Sequence, residues 1–333
     1  MKDLCIIIPT YNRSDSIEYY LETQLENFSN NNIDIWIYDS SDNELTKEYI
    51  EGFRKKGYNN LFYKRYSAND DTYGLWKTYY GLLECAKKYK YVWLSGDTAI
   101  IQINRFVDQV KKCMEEKYDI IHIYQSKDVS KSQAYSDCRE IFRLFWWSMT
   151  HWCSIIFSAE TLNSMREIME CNLKQDKGSF VVGSVFELMA KENIRFYYIK
   201  DSLFTVSPFR SCSTAHSNKD ILGQWAKMQS ETIDALPEIY DKYKSITKKS
   251  IDRNTYLFSF GGVIYLRADG NITLEKVREY KKYIKMVTKT PLLWFYLWAL
   301  IPQRIAKIVV GVASLKKKLL QKLAIFYHKI IGK

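Results

Sequence analysis

The stretch Tyr91-Val-Trp-Leu-Ser-Gly-Asp-Thr98 constrains the fold more than any other. An apolar run, Tyr91 to Leu94, stops abruptly at Ser95, Gly96 and Asp97. A run this short, rich in β-branched and aromatic side chains, predicts a buried strand. Gly96 permits a turn or the close approach of a ligand. Asp97 then stands just past the carboxyl end of the strand, where open α/β sheets place their ligands. A carboxylate there either caps the next turn or helix, or holds a hard divalent cation that bridges diphosphate oxygens.

The same pattern recurs upstream. Leu4 to Ile8 predicts a first buried strand, ended by Pro9-Thr10-Tyr11-Asn12-Arg13. Ser14 or Asp15 can cap a helix running to about Phe28, with Ile17, Tyr20, Leu21, Leu25 and Phe28 on one face. Ile33 to Tyr38 predicts a second strand, ending in Asp39-Ser40-Ser41-Asp42. A helix over Glu44 to Lys56 and a strand over Leu61 to Tyr66 follow. This alternation argues a parallel sheet with crossover helices. Thr10, Tyr11, Asp39, Ser40 and Asp97 all fall just past strand ends, so a parallel sheet brings them to one edge. Asp39 either accepts hydrogen bonds from a base or ribose, or forms a turn. Tyr11 either stacks on a base or packs in its loop.

No G-x-G-x-x-G follows the first strand and no G-x-x-x-x-G-K-[ST] occurs, which argues against a dinucleotide oxidoreductase or a P-loop enzyme. Seven cysteines without a C-x-x-C pair predict reduced thiols and no zinc site. The apolar run after the early lysine is too short for a signal-peptide core, so export of the body is not expected.

These residues resemble the family 2 glycosyltransferases, which have the GT-A fold. The resemblance rests on Ile6-Ile7-Ile8-Pro9-Thr10-Tyr11-Asn12-Arg13, on Ile37-Tyr38-Asp39-Ser40-Ser41-Asp42, on Gly74 with the helix through Gly81-Leu82, and on Tyr91 to Asp97. It implies a nucleotide-diphosphate-sugar donor, here UDP-linked, a divalent cation (Mn²⁺ or Mg²⁺) and inversion at the anomeric carbon. It implies that Pro9, Thr10, Tyr11 and Asp39 line the nucleoside pocket, with Arg13 and Gly96 among the donor contacts. Asp97 matches the last acid of the family's D-x-D metal motif. Ser95 stands where the first acid would be and Thr98 where another is common, so Ser95 becomes a candidate ribose contact. Lys77 sits near a position where related enzymes carry a basic residue; it either contacts the diphosphate or lies on a solvated helix face.

Beyond residue 100 the pattern predicts a helix from Arg105 to Lys117, a strand from Tyr118 to Tyr124 and a polar loop over residues 126 to 139. The aromatic run from Ile141 to Trp152 is either a core helix or an acceptor platform, and His151 reads as structural. A strand over Trp152 to Phe157 and a helix from Ser158 resemble the family's acceptor-side elements. An inverting transfer needs one base for the acceptor hydroxyl. The family takes it from an Asp-containing pair ahead of a helix, which here matches Val181 to Glu192. No Glu-Asp pair precedes that helix, and the available acids are Asp176 and Glu187. After a strand over Ile194 to Ile199, Arg210 and His216 sit in a polar loop. The resemblance makes them candidates for the diphosphate and metal sites; an exposed loop is the alternative for His216.

The net charge of +11 is concentrated at the C-terminus. From Pro291 to Lys333 there are eight basic residues and no acid. The apolar run Pro291 to Ile301 is short of the roughly 20 residues needed to span a bilayer. A basic amphipathic pattern with Trp and Tyr predicts a helix lying on an anionic lipid surface, the alternative being an apolar stripe docked on the protein or on a second subunit. No nucleic-acid-binding motif accompanies the basic run. The expectation is therefore an α/β GT-A (Rossmann-like) mostly parallel sheet with flanking helices, plus a C-terminal helical membrane-associating extension. The catalytic domain covers 1–218, with a nucleotide-binding half about 1–100 and an acceptor half about 101–218. A helical extension covers 219–290 and a basic membrane-surface tail 291–333. The protein would work at the cytoplasmic face of the cell membrane, moving sugar to a lipid-linked saccharide acceptor in surface-polysaccharide synthesis. The alternative is a catalytically degraded GT-A scaffold or binding subunit.

Overall fold

The computed structural model describes residues 2–66, 75–175, 179–201, 204–206 and 220–312. They form the strands and helices β1 (Lys2–Thr10), α1 (Ser14–Asn30), β2 (Asp34–Asp39), α2 (Leu45–Lys55), β3 (Leu61–Arg65), α3 (Leu75–Ala86), β4 (Tyr89–Leu94) and β5 (Ala99–Ile101). The chain continues with α4 (Val107–Glu115), β6 (Ile120–Ile123), β7 (Gln133–Tyr135), α5 (Cys138–Met149), β8 (Ile155–Ser158), α6 (Ala159–Ser164), α7 (Arg166–Lys174) and α8 (Phe180–Met189). Then come β9 (Phe196–Ile199), β10 (Phe204–Val206), α9 (Gln229–Asp234), α10 (Asp241–Thr255), α11 (Phe260–Ala268), α12 (Leu274–Val287), α13 (Leu292–Leu300) and α14 (Gln303–Val312). The chain divides into two compact units, Met1–Asn218 with Thr232–Thr247, and Lys219–Glu231 with Lys248–Lys333.

The first unit is built on an eight-stranded sheet in the order β3-β2-β1-β4-β8-β6-β9-β7. Strands β1 to β4 run parallel, as expected of strands joined by crossover helices. β8 lies antiparallel between β4 and β6, and β7 antiparallel beside β9. Alternate side chains of one strand feed two cores. Leu4, Ile6 and Ile8 pack with α1 and α4, whereas Cys5 and Ile7 pack with α3, α5 and α8. Helices on both faces explain why the strands read as continuous apolar runs rather than as alternation. β5 and β10 form a small separate antiparallel sheet.

Several elements differ from the sequence-based expectation. Residues 126–139 are not wholly loop: they contain β7 and the start of α5, capped by the Asp137 side chain. The helix expected over Val181 to Glu192 runs from Phe180 to Met189. The helix expected from Arg105 begins at Val107, after a single 3₁₀ turn. α1 has neither Ser14 nor Asp15 as its cap; Arg13 holds that position without a capping bond from its side chain. The aromatic run is core: Ile141, Phe142, Phe145, Trp146 and Met149 are buried along α5. This outcome follows from helical spacing, which puts all five on one face.

Gly81 sets the seating of α3. A Cβ there would lie 3.0 Å from the Tyr38 ring of β2, tighter than ordinary packing. The missing side chain lets the helix approach the sheet, and Lys77, one turn earlier, shares that inward face.

In the second unit Pro302 interrupts the helix and α13 and α14 meet at 107°. Arg267 donates to the Ile301 carbonyl at 2.8 Å and Gln303 to the Ala268 carbonyl at 2.8 Å, fixing the break. Phe295, Trp298, Ala299 and Ala306 are buried. Leu293, Leu297 and Leu300 are exposed on the other side of α13, as are Ile305, Ile308, Val309 and Val312 on α14. Among the described residues no single helix is long and apolar enough to cross a membrane.

Candidate active site at the carboxyl edge of the sheet

The ends of β1, β2 and β4 bring Thr10, Asp39 and Asp97 to one edge, as the strand-end reading expects. Parallel pairing of Thr10 with Asp39, and of Ile7 with Leu94, fixes that convergence. Asp97 is buried, and both its oxygens are engaged. Thr10 Oγ1 donates to Oδ2 at 3.0 Å, and Arg13 Nη1 donates to Oδ1 at 2.8 Å. Burial pushes the Asp97 carboxyl up from its ordinary value; Arg13, the Thr10 hydroxyl and Lys77 oppose that rise.

Lys77 corrects one expectation. It does not lie on a solvated helix face: it is 4% exposed. Its ammonium donates to the Thr10 carbonyl and, at 2.8 Å, to Ser40 Oγ. Burial lowers its pKa to about 8, against the pull of Asp39 and Asp97. No residue-type pattern in the sequence marks this. The signal that could have found it is the i, i+4 spacing from Gly81, which places Lys77 on the sheet-facing side.

Asp39 is fully buried. Its Oδ1 accepts from the Ser41 backbone at 2.8 Å and from the Ser41 hydroxyl; its Oδ2 accepts from Tyr63 at 3.1 Å and pairs with Arg65 at 3.5 Å. The carboxylate thus shapes the β2–α2 loop, the turn-forming reading, while a carboxylate's four lone-pair sites leave it room to accept more. Tyr11 and Asn12 lace the β1–α1 loop to that loop. Tyr11 donates to Asp42 Oδ2 at 3.0 Å and Asn12 Nδ2 donates to the same oxygen at 2.6 Å. Asn12 holds φ at +51°, a left-handed turn that asparagine tolerates.

Pro9 is buried within β1. Ser95 is buried, and its backbone N–H extends the ladder to the Ile7 carbonyl at 2.9 Å. Gly96 faces open space: a Cβ there would meet nothing within 4 Å. Glu187 sits on α8, where Oε1 accepts from Asn172 Nδ2 at 3.0 Å. Gly74, Asp176, Arg210 and His216 lie outside the described residues.

A divalent cation on Asp97 is the remaining expectation. The carboxylate's oxygens already accept from Thr10 and Arg13, and Ser95 brings no charge. Among the described residues no group of three His, Cys, Asp or Glu side chains is arranged to hold a metal ion. Among the described residues this donor set does not fit a resident divalent cation; His216, the other residue expected to bind it, lies outside them.

Residues 5–93 match the family described as Glycosyl transferase family 2. That segment carries Thr10, Arg13, Asp39 and Lys77. No curated protein matches the chain. Among solved structures, the chain is similar to S. aureus TarS 1-349 in complex with UDP-GlcNAc, with 14% identity and a TM-score of 0.49 over 94% of this chain and 92% of that one. It is also similar to the mannosyltransferase PcManGT from Pyrobaculum calidifontis in complex with GDP-Man and Mn²⁺, with 11% identity and a TM-score of 0.48 over 89% of this chain and 86% of that one.

Proposed function

We propose that this chain is an inverting glycosyltransferase that moves a sugar from a UDP-linked donor to a lipid-linked or glycan acceptor in cell-surface polysaccharide synthesis. The observation that carries the reading is the convergence of Thr10, Arg13, Lys77 and Asp97 on one sheet edge, with three of them inside the family 2 segment. A nucleoside diphosphate meets two basic groups there, held in place by a buried carboxylate and a backbone carbonyl. Positive charge aimed at the leaving diphosphate favours the transition state over the ground state. In the inverting displacement one carboxylate takes the acceptor hydroxyl proton as the new C–O bond forms and the diphosphate departs. Asp176 and Glu187 are the candidates.

The basic, acid-free tail and the exposed apolar faces of α13 and α14 support attachment to an anionic membrane surface on the cytoplasmic side.

Two observations favour a second reading, a catalytically idle GT-A binding subunit: Asp97 is paired with Arg13, and Ser95 stands where the first acid of the pair would be. Product analysis separates the two. The enzyme releases nucleoside diphosphate from one nucleotide sugar when membranes bearing lipid-linked saccharide are present; the subunit releases none. Alanine at the true base, Asp176 or Glu187, abolishes transfer and leaves donor binding intact. If both variants transfer normally, neither is the base.

A further inference from the structure

Asp97 is the carboxylate on which a divalent cation would be expected to bind, yet it sits in a different electrostatic setting. Arg13 lies 2.8 Å away, with side-chain exposures of 17% and 7% for the arginine and the aspartate, so solvent screens the pair little. The charge of Lys77 bears on the same carboxylate. Arg13 pairs directly with Asp97, and Lys77, shared between Asp39 and Asp97, adds a second positive charge beside it. A divalent ion arriving there meets repulsion from both and must displace Arg13. An anion meets the opposite.

The guanidinium also has capacity to spare. It presents five N–H donors in a fixed fork, and Asp97 takes a bond from Nη1 alone. Among the described residues the other donors have no partner. A planar fork with one arm fixed is well suited to phosphate oxygens, where paired N–H bonds add geometric selectivity. Asp97, itself held by the Thr10 hydroxyl, holds Arg13 in place without using up its donors.

We propose that Arg13, steered by Asp97, is the diphosphate-binding cation of this site, so that a nucleoside diphosphate binds without a divalent metal. Asp97 is then a positioning residue for Arg13 rather than a metal ligand. The inference rests on the nucleotide-sugar reading given above and deepens it.

The test is calorimetric titration of the full chain with UDP and with GDP, in excess EDTA and in Mn²⁺. Wild type is expected to bind one of them with affinities that agree within about threefold in the two conditions. Arg13→Gln loses at least tenfold in EDTA, and Asp97→Asn loses affinity in the same condition because Arg13 is no longer held. Arg13→Lys, which keeps the charge but not the fork, recovers part of the loss; full retention of affinity by Arg13→Gln overturns the proposal. Binding by wild type that disappears in EDTA and returns with Mn²⁺ also overturns it while leaving the nucleotide-sugar reading standing. Absence of binding in both conditions sinks that reading, and the inference with it. Thermal unfolding of each variant separates lost contact from lost fold.

Discussion

Lys77 on α3 donates to the backbone carbonyl of Thr10 at the end of β1, across 67 positions of sequence. A buried ammonium is costly unless hydrogen-bonded and opposed by negative charge. Here it bonds to that carbonyl and to Ser40, and Asp39 and Asp97 favour its charged form. The bond ties the helix that carries the charge to the strand end at the sheet edge.

Removing this ammonium should weaken the site without unfolding the sheet. Lys77→Met is expected to lower nucleoside-diphosphate affinity by about tenfold, on the order of 1.4 kcal/mol. Isothermal titration of the variant checks this, and unchanged affinity would show that Lys77 serves only packing.

The same group gives a pH signature with opposite signs for binding and stability. The folded pKa of Lys77 is lowered to about 8 from 10.5. Below pH 8 both folded and unfolded chains carry the charge. Between 8 and 10.5 only the unfolded chain does, so stability rises with pH across that window. Anion affinity, which uses the charge, falls as pH rises through 8. Wild type should show this step in a binding series from pH 7 to 9, and Lys77→Met should not.

Gly81 makes a prediction about geometry. With Tyr38 3.0 Å from the position of a Cβ, Gly81→Val forces α3 off the sheet. Overpacking of this kind costs about 1–3 kcal/mol. Urea unfolding measures that cost, and nucleotide titration should show a parallel loss because Lys77 moves with the helix. A stable variant with wild-type affinity would contradict the seating argument.

His122 on β6 controls acid stability. The Ser154 carbonyl, 3.0 Å from Nδ1, can only accept, so Nδ1 carries the hydrogen and Nε2 accepts from Ser148 at 2.7 Å. Burial lowers the imidazole pKa to about 3 from 6.5. The unfolded chain binds a proton between these values and the folded chain does not, so stability falls as pH drops below 6.5. The slope is about 1.4 kcal/mol per pH unit from this group. Between pH 7 and pH 5 the wild type should lose about 2 kcal/mol that His122→Gln does not lose. Urea midpoints at the two pH values decide it; equal losses would refute the assignment.

What was legible in the sequence follows from what is local. Strand ends are local, so the convergence of Thr10, Asp39 and Asp97 could be read from short apolar runs that stop at polar residues. The core role of Phe142, Phe145 and Trp146 could be read as one of two options from their spacing. The Arg13–Asp97 pair could not, because 84 positions separate its members and no residue type announces a partner. Burial of Lys77 was hidden because a lysine usually marks a wet helix face; the close seat of Gly81 on Tyr38 reverses that. The break between α13 and α14 was visible in Pro302, but the carbonyl contacts from Arg267 and Gln303 that fix it were not.

In the proposed function the sheet edge at Thr10, Arg13, Lys77 and Asp97 binds a nucleotide-diphosphate sugar for transfer. The most direct test is a thermal-shift panel of nucleotide sugars on wild type and Asp97→Asn, followed by product analysis of the donor that stabilises. Ligand at 100 times its Kd should add about 2.7 kcal/mol of stability. One donor is expected to raise the wild-type Tm, with a smaller shift in Asp97→Asn, and turnover is expected to yield nucleoside diphosphate. No shift from any donor, or release of pyrophosphate instead, would contradict it.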